Sequence, residues 1–165
     1  MILALDTSLT KSGWVVLSVH ERKATVVSYG LIKTNAKLSD GERLRELHSG
    51  ILAILGKYPD IGSVIPIEDG IVRFNTATKQ IAKARGVIEF SLADYQLEPI
   101  NIASVKKWAR EVTGVTGKDG MKKENVELAV KKYFGIDELR NNKGGDISDS
   151  IAVGIVYLKR KGVID

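Results

Sequence analysis

Ile2-Leu3-Ala4-Leu5-Asp6, followed after a short polar loop by Trp14-Val15-Val16-Leu17-Ser18-Val19 and then by Thr25-Val26-Val27-Ser28-Tyr29-Gly30-Leu31-Ile32, decides the fold class. The first run is apolar, too short for a helix and ends on a carboxylate, so it reads as a buried strand. The next two are rich in β-branched and aromatic residues and are parted by the polar stretch His20–Lys23, a hairpin signal. Further out, Ser39-Asp40-Gly41-Glu42 fits a capping box, with Ser39 as N-cap and Glu42 reaching back to it. The helix it opens carries Leu44, Leu47, Ile51, Leu55 and Tyr58, and Pro59 ends it. Ser63–Glu68 reads as a second buried strand, again closing on an acid. A helix over 76–95 is expected next, with Ile81, Ala84, Ile88 and Leu92 inward and Lys79 and Lys83 outward. Pro99–Ile102 reads as a short strand, and helices are expected at 104–112, 122–134 and 147–161. The last presents Ile147, Ile151, Ile155 and Leu158 on one face, with Lys159, Arg160 and Lys161 at its C-terminal end. Hairpin, helix, strand, helix, strand and helices describe one α/β domain over 1–165 with a mixed sheet.

Composition narrows the chemistry. At 165 residues, 44% hydrophobic and 27% charged, the chain suits a folded domain with a core and excludes disorder and low-complexity structure. No apolar run reaches the ~18 residues that span a bilayer, and the first residues do not resemble a signal peptide; a cytoplasmic, membrane-free protein is expected. Zero cysteines exclude disulfides, thiol nucleophiles and zinc ribbons. Twenty-five Lys+Arg against 20 Asp+Glu give a net charge of +5, unevenly placed. Ile71–Ile88 contains Arg73, Lys79, Lys83 and Arg85 with no acid, and a second basic surplus lies in 103–143. Local basic surface is the footprint of a polyanion partner or a solvated helix face.

The acids are the second signal. Asp6 and Glu68 each end a strand, and in open α/β sheets ligands gather at the carboxyl ends of strands. Asp146 and Asp149, at i and i+3, share one face of a first helical turn. If that turn docks on the strand ends, four carboxylates meet, and a hard divalent cation such as Mg²⁺ or Mn²⁺ turns their repulsion into attraction. Two such ions could clamp the attacking and leaving oxygens of a phosphodiester. Each acid alone also fits a turn or a helix N-terminus. Asp69 is set aside because neighbouring strand residues face opposite sides. His20 and His48 read as surface residues. Gly114–Gly120 lacks the phosphate-loop spacing and reads as a flexible loop with basic flanks.

Ala4-Leu5-Asp6-Thr7-Ser8-Leu9-Thr10-Lys11-Ser12-Gly13-Trp14, Ile67-Glu68, Ala84-Arg85-Gly86-Val87 and Asp146-Ile147-Ser148-Asp149-Ser150-Ile151-Ala152-Val153 resemble, in order and separation, the successive blocks of the RuvC Holliday-junction resolvases. The resemblance spans essentially the whole chain. It implies an RNase H-like mixed five-stranded sheet flanked by helices, a homodimer, and Mg²⁺- or Mn²⁺-dependent endonuclease activity on branched DNA, with two ions per site. By the same resemblance Asp6, Glu68, Asp146 and Asp149 match the four metal ligands. Lys106 and Lys123 match lysines near the scissile phosphate, their neighbours Lys107 and Lys122 being the adjacent candidates. DNA contacts are expected from Arg73, Phe74, Lys79, Lys83, Arg85, Lys107, Lys118 and Lys122. The stacking aromatic common in bacterial members is Ile71 here, with Phe74 a possible substitute, and Thr7-Ser8 replaces the usual Pro-Gly. Such departures resemble phage-encoded members, which would act in the host cytoplasm. Four-way junctions and forks are the expected substrates. The competing readings are a branched-DNA-binding protein without activity, a nuclease for RNA–DNA hybrids, and a phosphotransferase of the actin and sugar-kinase type.

Overall fold

The structure, a computed structural model, describes residues 1–69 and 76–165, and of residues 76–78 only the helical backbone. Five strands, β1 (Ile2–Asp6), β2 (Lys11–His20), β3 (Lys23–Lys33), β4 (Val64–Asp69) and β5 (Gln96–Asn101), form one sheet in the order β3-β2-β1-β4-β5. The first three pair antiparallel as a meander, whereas β1–β4 and β4–β5 are parallel. The mixed five-stranded sheet is therefore as expected. Helices α1 (Asp40–Lys57) and α2 (Thr76–Ser91) join the parallel strands, and α3 (Ile102–Thr113), α4 (Lys123–Phe134) and α5 (Asp146–Arg160) follow.

The two-residue period of each strand sorts the core onto two faces. Leu3, Leu5, Ile65 and Ile67 point to one side, where they bury Leu47, Ile51, Ala84 and Ile88 of α1 and α2. Ala4, Val15, Leu17 and Ile100 point to the other, against α3, α4 and α5. Asp6 is in phase with Ala4, and Glu68 lies one residue beyond Ile67. Both acids thus belong to the α5 side and Asp69 to the other. Helix α5 is buried on almost every side, with Ile147, Ile151, Ala152, Ile155 and Leu158 in the core and the polar Ser148, Asp149 and Ser150 of its first turn buried as well.

Local signals explain most boundaries. Ser39 caps α1, its Oγ accepting from the Glu42 amide while Glu42 accepts from the Ser39 amide, so the capping box is present. Three expectations are corrected. Helix α2 ends at Ser91, because Tyr95 N–H bonds Leu92 C=O in a turn that leads directly into β5. Ile81 is 37% exposed, since the start of α2 overhangs the sheet and the side chain lines an open cavity with Thr7 and Asp69. The segment 114–120 is built of defined turns: Gly114 and Gly117 take left-handed φ, Gly114 caps α3, and buried Gly120 packs on Arg110 in a 3₁₀ turn over Asp119–Met121. Among the described residues no helix is long and apolar enough to cross a membrane.

Candidate active site

Strand β1 delivers Asp6 and its parallel neighbour β4 delivers Glu68 at the same edge of the sheet, because both strands run the same way. Helix α5 then lays its first turn over that edge. Its approach is set by Gly13, the residue opposite Asp6 on β2: a Cβ there would stand 1.9 Å from the Asp146 carbonyl oxygen. The result is one cavity of about 240 Å³ lined by Asp6, Glu68, Asp146 and Asp149 together with Lys106 of α3 and Lys123 of α4. The structure thus brings together all four acids and both lysines singled out in the sequence.

The electrostatics of that cavity are those of excess negative charge in a poorly solvated place. Burial pushes the Asp6 carboxyl well above the usual carboxylate range, and a hydrogen bond shared with Glu68 and the nearby charges of Glu68 and Asp149 push it further. Asp149, 3% exposed, is pushed up to about 6, again chiefly by burial. Lys123 Nζ, 3.3 Å from Asp149 Oδ2, acts in the opposite sense without prevailing. Burial works against the charge on Lys123, but Asp149, Asp6 and Asp146 outweigh it and hold the ammonium above its ordinary value.

A scan of protein families matches residues 2–157 to the family described as crossover junction endodeoxyribonuclease RuvC. The chain belongs to the RuvC family. A RuvC of Ehrlichia canis (strain Jake) is 32% identical over 163 residues, covering 97% of each chain. A RuvC of Fusobacterium nucleatum is 30% identical over 98% of this chain and 81% of its own. Among solved structures, Thermus thermophilus RuvC in complex with a Holliday junction substrate superposes with a TM-score of 0.75 at 18% identity, covering 98% and 96% of the two chains. The Fowlpox virus resolvase, solved with Holliday junction DNA, does so at 0.60 and 13% identity, covering 97% of each. At those identities the likeness is one of fold, the RNase H-like fold.

RuvC nucleases are metal-dependent, and the donor set of this RuvC chain suits a hard cation: every acid is a carboxylate, no sulfur or imidazole intrudes, and the surplus charge is what a divalent ion would neutralise. As the side chains stand, no three of them among the described residues already enclose a point, because Asp6 is bonded to Glu68 and Asp149 to Lys123.

The residue that sequence reasoning missed in this RuvC site is Asn142. Gly145, the N-cap of α5, offers no side chain. Buried Asn142 caps the helix from the preceding loop instead. Its Oδ1 accepts from the amides of Ile147 and Ser148, and its Nδ2 donates to Glu127 of α4 and to Ser148 Oγ. One amide therefore ties the aspartate-bearing helix to the lysine-bearing one. The signal was the run Asn141-Asn142-Lys143-Gly144-Gly145 before the helix, but the cap sits three residues early, across two glycines with φ of +108° and +88°.

The expected DNA-contact residues are placed unevenly. Lys79 and Lys118 are exposed. Lys83 pairs with Asp40 at 2.6 Å, Arg85 with Glu89 at 2.8 Å, Lys107 with Glu111 at 3.9 Å and Lys122 with Asp119 at 2.7 Å. Part of the basic surplus is thus met by acids of α1 and α3 or by helical neighbours. Arg73 and Phe74, with Ile71, lie outside the described residues. His20 is exposed, whereas His48 is half-buried with Nδ1 2.8 Å from Ser91 Oγ, so its reading as a surface residue is corrected.

Proposed function

We propose that this RuvC-family chain is a homodimeric endonuclease that hydrolyses phosphodiesters of four-way DNA junctions, and of forks less strictly, using two Mg²⁺ or Mn²⁺ ions held by Asp6, Glu68, Asp146 and Asp149. The observation that carries the reading is the single cavity lined by these four acids together with Lys106 and Lys123. Bound divalent ions would supply an activated water and stabilise the departing oxyanion. The protein's own groups do the rest. Asp6, which burial and the Glu68 hydrogen bond hold well above the usual carboxylate range, must give up its proton before it can act as an anionic ligand. Lys123, paired with Asp149, and Lys106, which lines the same cavity, would supply positive charge where negative charge grows on the phosphate during attack. A C₂ dimer would present two such sites to the two symmetric strands of a junction.

The test is cleavage of a labelled four-way junction beside a Y-fork, an RNA–DNA hybrid and a linear duplex, in Mg²⁺, Mn²⁺ or EDTA. Metal-dependent paired nicks near the branch are expected, abolished in Asp6→Asn, Glu68→Gln and Asp149→Asn while junction binding is kept. A variant that cuts at near wild-type rate would remove that acid from the site. Junction binding by folded protein without any cut in either metal would replace the enzyme with a binding module.

A further inference from the structure

A second cavity, about 440 Å³, opens on the other side of the first turn of α5, lined by Tyr29, Leu31 and Lys33 of β3, Arg140 and Asn141 of the loop before α5, and Ile147. Lys11 stands directly opposite Lys33 in the β2–β3 register, and partners in such a pair project from the same face of the sheet. Like charges in that position repel. Among the described residues no ion pair within 4.0 Å includes Lys11, Lys33 or Arg140, unlike Lys83, Arg85, Lys107 and Lys122. All three cations are exposed. Tyr29, Leu31 and Lys33 share the face of Lys11 and Gly13, the residue pressed against Asp146, so the groove adjoins the acidic cavity. Asp146 lines one cavity and Ile147 the other, and the helix turn is the wall between them.

We infer that this groove is a binding site for the DNA strand beside the cut: Lys33, Arg140 and Lys11 hold its backbone phosphates, and Tyr29 offers a ring to a sugar or base. The inference rests on the nuclease reading and extends it to Lys11, Lys33 and Tyr29, which lie outside both basic segments, and to Arg140 at the end of the second. An α-helix is ~10 Å across, so phosphates held beyond the first turn of α5 lie within a few nucleotides of the scissile one.

The test is junction binding in EDTA across a salt series, with Lys33→Ala/Arg140→Ala, Tyr29→Leu, and Lys23→Ala/Lys37→Ala as a control of equal charge loss on exposed residues outside the lining of the groove. For the first double variant the slope of log affinity against log salt is expected to become shallower by about two, and for the control to stay at the wild-type value. Tyr29→Leu should weaken binding roughly 5- to 100-fold with the slope unchanged. Uncharged methylphosphonate linkages placed singly within a few nucleotides to either side of the cut should, at the contacted positions, weaken the wild type and not the groove double variant. If the wild type binds and cuts while the groove variants match the control, the groove is not a DNA site and the nuclease reading stands. If the wild type binds no DNA at all, both readings fall.

Discussion

At the scale of single residues, Asp149 couples the site to pH. Its carboxyl is pushed up to about 6 in the folded chain, so between the ordinary carboxylate range and about 6 the native state holds a proton that the unfolded state has lost. Metal-free stability must then fall as pH rises through that window, by roughly 1–3 kcal/mol, since each unit of difference is worth about 1.4 kcal/mol. Chemical denaturation in EDTA at pH 4.5 and 7.5 measures it, and Asp149→Asn should flatten the dependence. Gly13 makes a steric prediction. With 1.9 Å between a new Cβ and the Asp146 carbonyl oxygen, Gly13→Ala must push α5 away from β2. Overpacking of this kind costs about 1–3 kcal/mol or more, and the displacement moves two acids, so activity per folded molecule should drop with stability.

At the scale of elements, two helix caps differ in what they hold. Ser39→Ala removes a capping box far from the acids and should cost about 1 kcal/mol of stability with cleavage unchanged at saturating metal. Asn142→Ala removes a cap and orphans buried donors and acceptors, a loss of about 2–4 kcal/mol, and it releases α4 from α5. Its metal requirement should therefore shift to higher concentration, which calorimetric titration with Mn²⁺ reads without substrate. The difference between these caps also marks what was legible in the sequence. Ser39 and Glu42 are local, three residues apart, and the box was readable; so were the strand-ending acids, because a carboxylate closing an apolar run is anomalous in itself. Asn142 works through a loop whose path depends on two glycines and on the position of α4, and no local pattern encodes that. Ile81 was misplaced for a related reason: its helical phase is inward, but the sheet stops beneath it.

At the scale of the molecule, the acid cavity is a store of unfavourable charge that ion binding discharges. A divalent cation that binds only the native state should raise stability by about 2.7 kcal/mol at a hundred times its dissociation constant, seen as a rise in Tm that Asp149→Asn loses. The two-sided core has another consequence. All four acids and both cavity lysines lie on the face of the sheet covered by α3, α4 and α5, while Leu47, Ile51, Ile54 and Ile88 build the opposite face without touching that cavity. Substitutions sampled across the gene should accordingly separate into two populations. Those beneath α1 and α2 would be rescued by lowering the temperature or by a stabilising change elsewhere, since they alter only how much protein is folded. Those beneath α5 would resist such rescue, so natural variants can drift on one side of the sheet while the other stays nearly fixed.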